Sequence, residues 1–241
     1  MRPFTIYGSG WKCRWQATEF DAIGHRIFWA GLRGWEKETV PVIVENMRRS
    51  RCFIDIGANC GIYTVIGCTV NAEVRVVAVE PVPKVCAALA QNVSNNRYED
   101  RVTIINAALS ESNGRASFHE ADDATMSSLA TDGYQGQHGR VIEVECRTLD
   151  SIVEDLGIEP DFLKIDVEGF EHLVLRGAHD VLQRFRPRIV LEANPGDASD
   201  QVTDILAQYG YEFQILTERG PERRPAIIAE KGYRNWVCSA V

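Results

Sequence analysis

Three short segments hold residue types whose spacing suits chemistry. The first, Phe53-Ile54-Asp55-Ile56-Gly57-Ala58-Asn59-Cys60-Gly61, is an apolar run that ends in a glycine turn and leads into Ile62, Val65 and Ile66 at helical spacing. Gly57 lets the backbone turn sharply and a ligand come close, and a helix starting near Gly61 presents unpaired N–H groups to an anion. The second is Val79-Glu80, where a β-branched run ends in a carboxylate 23 residues after Gly57. An acidic group at the carboxyl end of a second strand accepts both hydrogen bonds of a ribose diol. The third is Asp166-Val167-Glu168-Gly169-Phe170-Glu171. Period two along an extended chain sends Asp166 and Glu168 to one side, and the next apolar run ends nearby in Glu192 and Asn194.

A dinucleotide-binding turn reads G-x-G-x-x-G, but the second and fifth positions after Gly57 are Asn59 and Ile62. The pattern therefore favours an adenosine-type ligand whose other end is an amino acid rather than a pyrophosphate. A nucleotide-dependent oxidoreductase stays as the alternative enzyme class. Asp166 and Glu168 have two readings: carboxylates facing the ligand, or caps of the following helix, where an acid contributes about 0.3–1 kcal/mol. Asp166, Glu192 and Asn194 also make an oxygen set for Mg²⁺. No further ligand pattern accompanies them, and no metal is expected.

The elements that must position these groups alternate. Strand-like Cys52–Ile56, Val74–Val79, Val102–Ile105, Asp161–Asp166 and Arg188–Leu191 are separated by helix-like segments, including one from Phe170 to Leu182 and one capped by Ser199 and ended by Gly210. β-Branched strands between helices mean an α/β, mostly parallel sheet covered on both faces. Two departures stand out. A long insertion follows Ile105, with strand pieces at Arg115–His119 and Val141–Arg147, a short helix at Leu149–Leu156, and a polar stretch from Glu120 to Arg140 that reads as a loop near a site. Tyr211–Leu216 and Asn235–Ala240 read as an antiparallel pair at the sheet edge, joined by the polar connection Thr217–Arg224. Residues 1–50 fall outside the alternation and are expected to form a cap on a single unit of residues 51–241. They hold Trp11, Trp15, Trp29 and Trp35, then a helix-like VPVIVENM with Thr39 as its expected cap.

The 241 residues carry 26 Lys plus Arg against 34 Asp plus Glu, a net charge of −8 with no long basic run. Nucleic acid and anionic membranes are poor partners for such a surface. No run approaches the roughly 20 apolar residues of a membrane span, and the expected location is the cytoplasm. The seven cysteines never form CxxC, so they read as reduced, structural thiols. Nothing in the pattern sets the oligomeric state.

DIGANCGIYT, AVEPVP, INAALS, TLDSI, KIDVEGFE and RIVLEAN, in this order over about residues 35–193, resemble the FkbM-type S-adenosylmethionine-dependent methyltransferases. The resemblance implies a Rossmann-like class I sheet of seven strands whose last is antiparallel, with S-adenosylmethionine as cofactor and S-adenosylhomocysteine as product. It implies that Asp55, Gly57, Asn59 and Gly61 surround the methionine part, with Asp55 orienting the ammonium directly or through water. Glu80 would hold the ribose hydroxyls, and Asn106 and Ala107 would flank the adenine. The acceptor implied is a small molecule, a hydroxyl of a sugar or natural product. A hydroxyl attacking the sulfonium methyl must lose its proton, for which Asp166 or Glu168 is expected to serve and His119 is the alternative base. Glu192, Asn194 and Trp35 are expected on the substrate side, Trp29 as a second stacking surface, and Glu36 against cofactor or substrate. Cys60 stands where the family has a small apolar residue and reads as a packing variant, or as a thiol beside the sulfonium. A protein that binds the cofactor without transferring methyl is the non-enzymatic alternative.

Overall fold

The computed structural model describes residues 2–121, 128–129, 139–193, 197–228 and 234–241. In chain order the elements are β1 (Phe4–Gly8), β2 (Trp11–Trp15), α1 (Ala22–Ala30), α2 (Thr39–Met47), β3 (Cys52–Ile56), α3 (Ile62–Val70), β4 (Arg75–Val79), α4 (Pro83–Asn95), β5 (Val102–Ile105), β6 (Ala108–Leu109) and β7 (Gly114–Ala121). They continue as β8 (Ser128–Leu129), β9 (Gly139–Arg147), α5 (Leu149–Leu156), β10 (Phe162–Ile165), α6 (Glu171–Arg176), α7 (His179–Arg184), β11 (Arg188–Glu192), α8 (Asp197–Gln208), β12 (Tyr211–Thr217), β13 (Gly220–Arg224) and β14 (Asn235–Ala240).

The main sheet runs β13-β12-β14-β11-β10-β3-β4-β5. From β5 to β11 the strands are parallel, and β14, β12 and β13 each join antiparallel to their neighbour. The chain moves outward from β3 to β5 and then returns to lay β10 on the other side of β3. Strand order therefore reverses between β3 and β10, and their carboxyl ends open a crevice there. Ile56 pairs with Ile165 on one side and Val79 on the other, so Gly57, Glu80 and Asp166 leave the sheet at nearly one level.

Both faces of the central strands are buried, which is why their sequences are nearly continuous apolar runs. Phe53 stacks on Phe162 at 5.1 Å on the face covered by the N-terminal segment, α2 and α3. Ile54 and Ile56 join Leu163, Ile165, Ile189 and Leu191 under α5, α6, α7 and α8 on the other. The first fifty residues are tied down by buried Asn92, which accepts from the Gln16 N–H at 2.8 Å and donates to the Cys60 carbonyl at 3.1 Å. A second small sheet, β6-β9-β7-β8, is built from the insertion.

Several local expectations change in three dimensions. The helix expected from Phe170 to Leu182 is two, α6 and α7, because a Cβ at Gly177 would lie 2.2 Å from the Ser110 carbonyl oxygen and the chain bends where it meets the insertion. Thr39 and Ser199 lie inside α2 and α8 rather than capping them. The C-terminal antiparallel pair is present, but β14 inserts between β11 and β12. The edge is β13, formed from the expected polar connection, and its charged, alternately exposed residues suit a strand with one unpaired side. Without β13, this is the seven-stranded arrangement with an antiparallel last strand. All seven cysteines are buried free thiols. No helix among the described residues is long and apolar enough to cross a membrane.

Candidate active site

Gly57 has φ +74°, and a Cβ there would stand 1.9 Å from the Asp166 carbonyl oxygen. Only glycine lets β3 turn this close to the end of β10. The Gly57 and Ala58 N–H groups both donate to the Val79 carbonyl at 3.0 Å, which pins the turn to β4. Asn59, at φ +50°, donates its N–H to Glu80 Oε2 at 3.0 Å, and Val82 donates to Oε1 at 2.9 Å. Two backbone donors thus fix the Glu80 carboxylate, and each oxygen retains a lone pair for a ligand. Burial pushes the Glu80 pKa up to about 7 against those two hydrogen bonds.

The crevice they open is about 850 Å³ counting its mouth, a size suited to a small molecule. Its walls include the Gly57 turn, Glu80, Ala107, Asp166 and Glu168, with Trp35, Tyr63, Phe118 and Phe170 as aromatic surfaces. Trp35 and Tyr63 lie 5.2 Å apart.

Behind Asp166 is a buried charge cluster. Lys164, 1% exposed on β10, places Nζ 3.2 Å from Asp166 Oδ2 and 5.7 Å from the Tyr63 ring centre. The Tyr63 hydroxyl donates to Glu36 at 2.5 Å. Carboxylate oxygens of Glu36, Asp166 and Glu192 all lie within 4.8 Å of one another, and Glu192 is also 3.7 Å from Arg234. Burial by itself would lower the Lys164 pKa, but Asp166, Glu36 and Glu192 outweigh it and hold the ammonium well above its ordinary value. Burial, and then repulsion from Asp166, push Glu168 up to about 8 and Glu192 up to about 7. Burial raises Glu36 as well. Three carboxylates this close resemble an oxygen set for a divalent ion. Lys164 already places a positive charge among them.

Of the residues expected from the sequence, Gly57, Asn59, Glu80, Ala107, Asp166, Glu168 and Trp35 line the crevice. The others take different places. Asp55 is 1% exposed and accepts from Thr64 Oγ1 at 2.6 Å, so it braces α3 from behind the wall, with burial pushing its pKa up to about 6. Gly61, at φ +89°, starts α3 against Leu89 of α4. Asn106 donates to the Glu80 and Pro81 carbonyls at 2.8 Å each, holding the exit of β4 rather than lining the crevice. Glu192 belongs to the cluster behind Asp166, not to the wall, and Asn194 lies outside the described residues, as does most of the polar stretch of the insertion. Trp29 is 82% exposed against Phe28, away from the crevice. On β7 it is Phe118 that lines the crevice, and His119, its neighbour on the opposite face of the strand, does not. Cys60 is a packing residue: it is buried outside the wall, and burial pushes its thiol up.

Asp166 and Glu168 share the crevice by a different route from the one expected. β10 ends at Ile165, and Glu168 turns in a left-handed conformation, φ +53°, followed by Gly169 at +98°. The turn is held by Glu171, whose Oε1 accepts from the Gly169 N–H at 3.0 Å and the Val167 N–H at 3.3 Å. Turn capping, the alternative reading of Asp166 and Glu168, thus falls to Glu171. Glu171, Thr64, Tyr63 and Lys164 are the residues that sequence reasoning missed. Lys164 had a signal, one cation inside the buried run FLKI, whereas Tyr63 is indistinguishable in sequence from core.

The fold is shared with solved structures, among them methyltransferase FkbM from Methylobacillus flagellatus, with a TM-score of 0.54 and 17% identity over 79% of this chain and 43% of that one. Sheet order, switch point and crevice agree with the class that the family match gives, an S-adenosylmethionine-dependent methyltransferase. Residues 55–213 match the Methyltransferase FkbM domain, and the chain belongs to that family. It is 27% identical to the hexuronic acid methyltransferase AglP of Haloferax volcanii, over 86% of this chain and 80% of that protein. To the 31-O-demethyl-FK506 methyltransferase FkbM of Streptomyces tacrolimicus it is 28% identical, over 73% of this chain and 77% of the other. Another curated relative is far longer, and the chain spans 10% of its length.

Proposed function

We propose that this chain transfers the methyl group of S-adenosylmethionine to a hydroxyl of a sugar or natural-product small molecule, releasing S-adenosylhomocysteine. The observation that carries this reading is that the Gly57 turn, Glu80 and the pair Asp166 and Glu168, from three adjacent strands, open on one crevice. The residues fit the cofactor: the tight Gly57 turn lines the crevice without a side chain, and Glu80 keeps free lone pairs for a ribose diol. Ala107 and Val79 give apolar contact for the adenine. When bound, S-adenosylmethionine supplies an electrophilic methyl on a sulfonium.

The acceptor oxygen forms its bond to the methyl carbon as the carbon–sulfur bond breaks and the electron pair leaves with sulfur. The hydroxyl proton passes to a carboxylate in the crevice, Asp166 or Glu168, a contribution of about 10²–10⁴-fold. Residues 1–50, as a cap on the methyltransferase unit of residues 51–241, bring Trp35 to the acceptor side as a stacking face, with Glu192 behind Asp166. The names of the relatives, one acting on a hexuronic acid and one on 31-O-demethyl-FK506, support a small oxygen-bearing acceptor.

The test is calorimetric titration with S-adenosylhomocysteine, with NAD in parallel, followed by a methyl-transfer screen over neutral sugars, uronic acids and polyketide alcohols. Saturable binding is expected, weakened by about tenfold or more in Glu80→Ala. NAD binding, or no S-adenosylhomocysteine binding by a folded sample, would sink the reading.

A further inference from the structure

We propose that Lys164 is a positioning residue that keeps Asp166, and not Glu168, as the group that receives the acceptor's proton. The proposal rests on the methyl-transfer reading of the crevice. Lys164 occupies a central strand, paired in register with Asp55 of β3 and Val190 of β11, where an aliphatic side chain would fill the space without a desolvation penalty. A buried ammonium persists only where carboxylates meet it. Lys164 meets one in direct contact, Asp166 Oδ2, while its other side faces the Tyr63 ring.

The remaining acids are held differently. Glu36 receives the Tyr63 hydroxyl, and Glu192 has Arg234 at 3.7 Å. Glu168, turned aside by its left-handed backbone, makes no ion pair among the described residues. The groups facing the Lys164–Asp166 pair are Glu36 from the segment before α2, Asp55 on β3, Tyr63 on α3, Glu168 and Glu171 beyond β10, Glu192 on β11 and Arg234 before β14. Of these acids, Asp166 is the one in ion-pair contact with the buried ammonium, and a cation in contact favours the charged form of a carboxylate. Burial, and then repulsion from Asp166, push Glu168 up to about 8, which favours its protonated form near neutral pH. Contact through Oδ2 leaves Asp166 Oδ1 outside the ion pair, and Asp166 lines the crevice.

The deciding measurement is the ¹³C titration of the Asp166 carboxyl, assigned by its loss in Asp166→Asn, in wild type and Lys164→Met, with and without S-adenosylhomocysteine. Without the ammonium, the Asp166 midpoint is expected to rise by about one pH unit or more. Affinity for S-adenosylhomocysteine should stay within about threefold, because Lys164 lies outside the crevice wall. An unmoved midpoint overturns the proposal. Should Lys164→Met not fold, Lys164→Met combined with Glu192→Gln removes one charge of each sign, and the same midpoint criterion decides. In methyl transfer to the acceptor returned by the screen, Asp166→Asn is expected to lose about 100-fold or more in kcat and Glu168→Gln less than about tenfold. The reverse order overturns the proposal. Failure of the wild type to bind S-adenosylhomocysteine would overturn the cofactor reading instead, since the ligand-free titration still decides the pairing.

Discussion

Glu80 illustrates how one buried carboxylate is tuned by what surrounds it. Two backbone N–H groups favour its charged form, burial opposes it, and burial wins, leaving a pKa of about 7. The ribose diol donates two hydrogen bonds, which the ionised form accepts best, so binding favours loss of the Glu80 proton. Affinity for S-adenosylhomocysteine is therefore expected to fall as pH drops through 7, by up to about tenfold per unit, and to level off above about pH 8. Calorimetry across that range checks it, and Glu80→Gln should flatten the profile. A wild-type affinity independent of pH would remove Glu80 from the ribose. Glu80 was legible from its place at the end of a β-branched run; the division of labour at the end of β10 was not. Asp166, Glu168 and Glu171 are equivalent carboxylates in one dimension, and only the turn at Gly169 sends two into the crevice and the third onto backbone donors.

At the scale of elements, the strand ends matter more than the helices. β3, β4 and β10 finish in register, so three consecutive turns share one opening, and Gly57 sits where β3 and β10 come closest. Gly57→Ala must either displace the Asp166 carbonyl or abandon the turn, and it also forces a left-handed φ on alanine. A loss of roughly 2–5 kcal/mol in urea unfolding is expected, together with loss of S-adenosylhomocysteine binding. Gly61→Ala meets only a Leu89 side chain at 3.0 Å besides its positive φ, and a smaller loss of roughly 1–2 kcal/mol is expected. Equal losses would mean that the approach of β3 to β10 is not what Gly57 permits. The existence and order of the central strands followed from apolar runs between helical segments. The break at Gly177 and the strand β13 did not, because each depends on a partner distant in sequence: the Ser110 carbonyl for one, β12 for the other.

Across the whole molecule, the acids around the crevice set how stability responds to pH. Asp55, Glu80, Glu192 and Glu168 are pushed up to about 6, 7, 7 and 8, chiefly by burial. In the unfolded chain such groups titrate near 4, so between about pH 5 and 8 the folded state binds more protons than the unfolded one and stability falls as pH rises. Lys164, held above its ordinary value, contributes throughout this window and does not reverse the sign. The thermal midpoint of the ligand-free protein is therefore expected to fall from about pH 5 to 8, and to fall less in Asp55→Asn. A rise over that range would show that neighbouring cations, not burial, dominate these acids. The sequence alone determined the α/β class, the parallel centre of the sheet, the antiparallel C-terminal pair and the residues at its strand ends, because hydrophobic period and glycine turns are local properties of the chain. Only the tertiary structure decided that Asp55 and Asn106 stand behind the wall, that Trp35 lines the crevice while Trp29 faces solvent, and that Lys164 is set among the carboxylates of Asp166, Glu36 and Glu192. Those outcomes depend on how elements that meet only in the folded chain desolvate and charge one another, as Lys164 and Glu36 do, and no local pattern encodes that.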